Sequence, residues 1–178
     1  SPSRKNERPQ RSKRATSLRM TTLFDTLTLG SMTLKNRMVL APMTRSRALG
    51  NVPNAIMAQY YAQRAGGGLL ITEGTGPSPN GTGYARIPGI FNAAQIVGWK
   101  AVTDAVHAKG SRIVMQLMHT GRVGHPNNLP AGGALVAPSA LAAPGKMYTD
   151  SEGEQALPVP REMTDADITA AIGEFVTA

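Results

Sequence analysis

The chain has 178 residues, 19 Lys and Arg against 11 Asp and Glu, a formal net charge of +8, and no Cys. That length suits one domain or part of a larger one, and the lack of Cys excludes a disulfide framework, a thiolate metal site and a cysteine nucleophile. Aromatics at 4% argue against a stacking platform for single-stranded nucleic acid, and no apolar run approaches the roughly 18 residues of a membrane helix.

The basicity belongs to one end. Residues 1–20 hold seven basic residues and one acid, which leaves a net +2 for residues 21–178. Residues 1–19 are rich in Ser, Arg and Pro and nearly lack apolar side chains, so a disordered basic tail is expected there. Three readings of it stay open: a vector-derived or upstream extension before a native initiator at Met20, the remnant of an organelle transit peptide, or an arm for nucleic acid or anionic membrane. The first of these leaves the protein cytoplasmic, the second places it in an organelle. The body carries no charge excess that asks for a nucleic-acid or membrane partner.

From residue 20 to 178 strand-like and helix-like segments alternate. LTLGSMTLKN (27–36) predicts a short hairpin turning at Gly30-Ser31. RMVLAPM (37–43) reads as a mainly apolar strand. Residues 54–65 read as a helix with Ile56, Met57, Tyr60 and Tyr61 on one face. GLLITE (68–73) is a second strand. Residues 93–109 give a second helix with Ile96, Trp99, Val102 and Val106 as its stripe, Asn92 as cap with Gln95 three residues on, and Gly110 at its end. RIVMQLM (112–118) is a third strand. Residues 120–160 form a Gly/Pro-rich excursion. Residues 164–178 begin a third helix, with Thr164 and Asp167 spaced as a capping box and Ile168, Ile172 and Phe175 on one face.

This order predicts an α/β fold with a parallel sheet covered on both faces. No G-x-G-x-x-G follows the first strand, which disfavours a dinucleotide fold. Polar residues cluster at the C-terminal strand ends, where a (β/α)8 barrel of the TIM type builds its active site: Thr44, Glu73 and Gly74, and His119. A full barrel needs about 250 residues, so about the first three βα units of a truncated barrel are expected in residues 20–178.

Three features suggest chemistry. Gln116 interrupts an apolar strand, on the face of Val114 and Met118; a buried amide needs a polar partner. That partner is a neighbouring strand, an ordered water, or a cofactor with alternating donors and acceptors such as a flavin pyrimidine edge. Ala41-Pro42-Met43-Thr44 is either a turn or a platform of backbone groups and one hydroxyl for a flat ring. In Glu73-Gly74-Thr75-Gly76, Gly74 is either an ordinary βα-turn glycine or a point of close ligand approach.

Together, residues 23–48 (LFDTLTLGSMTLKNRMVLAPMTRSRA), 60–75 (YYAQRAGGGLLITEGT), 83–110 (GYARIPGIFNAAQIVGWKAVTDAVHAKG) and 116–122 (QLMHTGR) resemble, in order, the N-terminal portion of the old yellow enzyme family. The resemblance implies a (β/α)8 barrel closed below by a hairpin, with FMN at its top and NAD(P)H as electron donor, reducing the activated C=C bond of a small-molecule enone. It implies cofactor binding by Pro42, Met43 and Thr44 against the flavin, by the Gly74 amide on a flavin carbonyl, and by Gln116 on the pyrimidine. Tyr84 matches a substrate-side tyrosine of several members, or is simply an aromatic anchor. Met118 replaces a Trp common in the family and would reshape the substrate pocket. No catalytic residue is assigned within the chain. The His–His or His–Asn pair, the proton-donating Tyr and the FMN-phosphate residues are expected beyond residue 178, and His107, His119 and His125 do not stand in for them. A different flavin- or phosphate-binding barrel, a non-catalytic fragment, and a tail-driven nucleic-acid binder are the alternatives.

Overall fold

A computed structural model describes residues 20–178. The expectation of a disordered tail over 1–19 lies outside the described residues.

Hairpin strands Leu27–Leu29 (β1) and Met32–Leu34 (β2) pair antiparallel with Thr28 opposite Thr33. Gly30 makes the turn with φ 57°, a left-handed conformation that glycine adopts without Cβ strain. Asn36 then ties the hairpin to the sheet: its Nδ2 donates to the Gly66 carbonyl at 2.8 Å and its Oδ1 accepts from the Met38 amide at 3.1 Å. Space there is tight, because a Cβ on Gly68 would sit 2.1 Å from the Asn36 carbonyl oxygen.

Three parallel strands follow, Val39–Leu40 (β3), Leu69–Ile71 (β4) and Arg112–Val114 (β5), in the order β3-β4-β5. They occupy the expected positions but are shorter than the apolar runs. Pro42 has no N–H for a ladder beyond β3, and an irregularity after Ile71, described below, interrupts β4 and β5.

Helices Ala55–Arg64 (α1) and Ala93–His107 (α2) connect these strands. Asn54 caps α1 by accepting the Met57 amide, and Asn92 caps α2 by accepting the Gln95 amide. Their core faces join Leu70 in one cluster with Ala48, Met57, Tyr61, Ala65, Trp99, Val102 and Val106. Leu40 and Ile113, in register with Leu70 on either side, pack against that cluster.

Two stripe residues are corrected. Ile56 and Ile96 are 64% and 55% exposed. On α2 the inward position belongs to Gln95, whose Oε1 accepts the Phe91 amide at 2.8 Å, so a polar side chain is satisfied where an apolar one was expected.

The excursion from 120 to 160 contains more structure than its composition suggests. Val136–Ala137 (β6) pairs parallel with Arg161–Glu162 (β9), and Lys146–Thr149 (β7) forms an antiparallel hairpin with Gly153–Ala156 (β8). These strands have two to four residues each, too few for a period to stand out.

Helix Asp165–Thr177 (α3) opens on the expected capping box: Thr164 Oγ1 accepts the Asp167 amide and Asp167 Oδ2 accepts the Thr164 amide. Arg161 adds two hydrogen bonds to the same carboxylate, which holds Asp167 well below the usual carboxylate range. The face of Ile168, Ile172 and Phe175 forms as expected but lines an open groove with Pro138 and Met163. Among the described residues, no helix is long and apolar enough to cross a membrane.

Candidate functional site

The chain leaves β3, β4 and β5 at the same end of the sheet, because the three strands are parallel. Ala41 to Thr44 leave β3 as exposed, unpaired backbone. Thr72 to Gly76, leaving β4, are all buried. Gln116 to Met118 follow β5.

The β4–β5 ladder carries a bulge. Ile71 pairs with Val114, and the next bridge joins Thr75 to Leu117, so four steps along one chain match three along the other. The Thr72 side chain repairs the gap. Its amide donates to the Val114 carbonyl at 3.0 Å, while its Oγ1 accepts the Gln116 amide at 3.1 Å and donates to the Glu73 carbonyl at 2.9 Å. Beyond the bulge the Thr75 amide donates to the Gln116 carbonyl, and the Met118 amide to the Thr75 carbonyl, both at 2.9 Å.

Gln116 is therefore fixed through its backbone on both sides, yet its residue is exposed. This corrects the burial expected for its amide. The regular strand ends at Val114, and neither Val114 nor Gln116 is covered among the described residues. The side-chain amide makes no hydrogen bond among them, which leaves it free for a ligand.

Gly74 sits between these segments. A Cβ there would lie 2.5 Å from Met118 Cε and 2.6 Å from Met118 Sδ, so the methionine occupies the space the glycine vacates. The space beside Gly74 is thus filled by the flexible end of a side chain of the chain itself. The Gly74 amide is buried, and no group among the described residues accepts its hydrogen.

Glu73 connects the β3 and β4 exits. Its amide donates to the Tyr61 hydroxyl at 2.8 Å, and its Oε2 accepts the Arg45 amide at 3.1 Å. Arg45 and Glu73 adjoin Thr44 and Gly74 in sequence, so one bond draws the two expected segments together. Oε1 is buried and unpartnered among the described residues, beside a cleft of about 100 Å³ lined by Arg45, Arg47, Ile56, Met57, Tyr60 and Glu73. Burial pushes the carboxyl pKa up and the Tyr61 hydroxyl pKa up as well. Reading the sequence placed Glu73 at the rim but missed this link. The available signal was a Thr-Glu pair directly after the apolar run Leu-Leu-Ile.

Tyr84 is half-buried in the segment between β4 and α2, and it makes no hydrogen bond among the described residues. Its neighbour Gly83 accepts from the His125 amide and from Asn128 Nδ2. That attaches Tyr84 to the loop after Met118 rather than to a strand end. Among the described residues, His119 Nδ1 accepts the Gly121 amide, His125 Nδ1 accepts the Asn127 amide, and His107 lies exposed in the last turn of α2. Burial lowers the His119 pKa below the ordinary imidazole value. No group of His, Asp and Glu among the described residues is arranged to hold a metal ion.

The model of the NADH:flavin oxidoreductase / NADH oxidase family matches residues 22–178. The chain belongs to this family, that of the old yellow enzymes. It is 49% identical over 164 residues to a chanoclavine-I aldehyde reductase of Penicillium roqueforti (strain FM164), covering 89% of this chain and 42% of that protein. It is 40% identical over 156 residues to 12-oxophytodienoate reductase 7 of Oryza sativa subsp. japonica, covering 86% and 40%. Morphinone reductase solved in complex with tetrahydroNAD superposes with a TM-score of 0.82 at 43% identity, over 88% of this chain and 44% of that one. The chain thus spans less than half the length of these old yellow enzyme relatives, and its sheet is the corresponding part of their β/α barrel.

Proposed function

We propose that the protein is an FMN-dependent reductase of activated C=C bonds, acting on small α,β-unsaturated carbonyl compounds with NAD(P)H as reductant. The observation that carries this reading is the rim itself: an exposed Pro42–Thr44 segment beside a buried Gly74 amide without an acceptor among the described residues, and an exposed Gln116 side chain whose backbone is held on both sides.

These residues fit a flat, hydrogen-bonding ring. Pro42, Met43 and Thr44 offer it apolar surface and one hydroxyl. The Gly74 N–H offers a donor with no competing acceptor among the described residues. Gln116 offers a donor and an acceptor on one planar group, which suits a pyrimidine edge. FMN, when bound, supplies hydride chemistry between a nicotinamide and an enone, and the protein positions it. Tyr84 and Met118 are assigned to the substrate side, where the adaptable thioether sets pocket shape. The pair that holds the substrate carbonyl, the proton donor and the phosphate-binding residues are assigned to no position within residues 1–178.

Purified full-length protein should be yellow and should oxidise NADPH or NADH in the presence of cyclohexenone. A colourless protein that neither binds added FMN nor turns over the enone would overturn the reading.

A further inference from the structure

Glu73 is almost wholly inaccessible, at 1% exposed, yet it is neither a rim residue facing outward nor part of the apolar core. A buried carboxylate is costly unless its oxygens are satisfied. One of them is satisfied by a backbone amide and the other, Oε1, by no group among the described residues. An apolar side chain would fill the volume more cheaply, so packing alone does not account for the carboxylate.

What the carboxylate does is visible in the segment it holds. Among the described residues, the bond from the Arg45 amide to Glu73 Oε2 is the one hydrogen bond between residues 41–47 and the end of β4. The rest of that segment is held elsewhere. Arg47 Nη1 donates to the Arg45 and Ser46 carbonyls, and Asn54 Nδ2, at the start of α1, donates to the Arg47 carbonyl. Ser46 has φ 53°, a left-handed conformation unusual for a residue with a Cβ. The chain is therefore turned sharply just after Thr44, and Glu73 takes the amide at that turn.

We infer that Glu73 is a positioning residue that clamps the Pro42–Thr44 segment to the end of β4, and so fixes the Thr44 hydroxyl relative to the Gly74 amide. This inference rests on the proposed flavin-facing role of those two groups. The groups facing the carboxylate are Arg45 and Arg47 from the clamped turn and Tyr60 and Tyr61 from α1. Burial favours the protonated acid, whereas the Arg45 bond and the two guanidiniums favour the carboxylate. Glutamine keeps an acceptor oxygen at the same reach and removes the titration.

The test uses full-length protein, with amide-resolved NMR and FMN titration on wild type, Glu73→Gln and Glu73→Leu. In wild type the Arg45 amide shift should follow a carboxyl titration that Glu73→Gln abolishes. Glu73→Gln should keep slow Arg45 amide exchange and wild-type FMN affinity. Glu73→Leu should speed that exchange and weaken FMN binding, each by about tenfold, the scale of one lost hydrogen bond to a charged group. Wild-type FMN affinity in Glu73→Leu would overturn the positioning role, whether or not the amide exchange changed. Should Glu73→Leu not fold, the titration decides: an Arg45 amide shift that titrates alike in wild type and Glu73→Gln, or in neither, overturns the clamp. Failure of wild type to bind FMN would instead overturn the flavin reading, leaving the clamp to stand or fall on the amide exchange.

Discussion

The hydroxyl of Thr72 accepts the backbone N–H of Gln116 at 3.1 Å, in the place where a ladder carbonyl would stand if β4 and β5 had no bulge. Thr72 is 2% exposed, and its bond to the amide of the exposed Gln116 is partly buried. Thr72→Val should therefore cost about 0.5–1.5 kcal/mol, the usual net worth of an intramolecular hydrogen bond. Thr72→Ser should recover most of it. Urea unfolding of the three proteins distinguishes these outcomes, and equal midpoints for the Thr and Val forms would show that the bulge holds without the hydroxyl.

Gln116 presents the opposite case. Its side chain is exposed and makes no internal hydrogen bond among the described residues, so Gln116→Leu should leave the stability of the flavin-free protein within about 0.5 kcal/mol. The same substitution should weaken FMN binding by about 1–3 kcal/mol through unpaired polar groups on the ring. Fluorescence titration of FMN beside thermal melts separates the two effects. Unchanged flavin affinity and reduction potential would remove Gln116 from the site.

At Gly74 a methyl group would meet the Met118 side chain at 2.5 Å, with Met118 Cβ itself only 3.2 Å away. Gly74→Ala should destabilise by about 1–3 kcal/mol, as overpacking does. Met118→Ala opens the space, so the double substitution should cost less than the sum of the two singles. A double-mutant cycle by chemical denaturation measures that coupling. Strict additivity would mean that the two residues do not share the volume.

The pH dependence follows from the direction of the Glu73 shift. Unfolded, the carboxyl loses its proton near the ordinary value of 4.5; folded, burial holds the proton to higher pH. The folded state then binds more protons between those two values, so its stability falls as pH rises through that window. The contribution is fully present below the unfolded value and is lost above the folded one. Wild type minus Glu73→Gln stability, measured by urea unfolding across about pH 4 to 8, should decline and then level off. A difference that rises with pH would reverse the assigned direction.

Much of this was legible in the residues. The capping pair Thr164 and Asp167, the Gly30 turn and the positions of all three sheet strands could be read because each depends on neighbours within a few places in the chain. The bulge could not, since a four-against-three count exists only between two strands more than forty residues apart. Gln116 shows a subtler failure. Its period placed it on a strand face, but the regular strand stops at Val114, and periodicity cannot tell whether a face is covered. Ile56 and Ile96 failed for a related reason: each lies in the first turn of its helix, where only packing against the neighbouring elements decides which side chains face inward. The link from Glu73 to Arg45 was hidden because its donor is a backbone amide, which every residue type except proline supplies.

The bulge has one further consequence, for length rather than identity. Deleting a single residue between Ile71 and Thr75 would match the two counts, yet it would take away the extra residue that lets Thr72 serve the Gln116 amide while Glu73 reaches Arg45. The stretch should accept exchanges of one small or polar residue for another far more readily than the loss of one. In alignments of related chains, gaps should fall in the outer loops and stay out of residues 72–74.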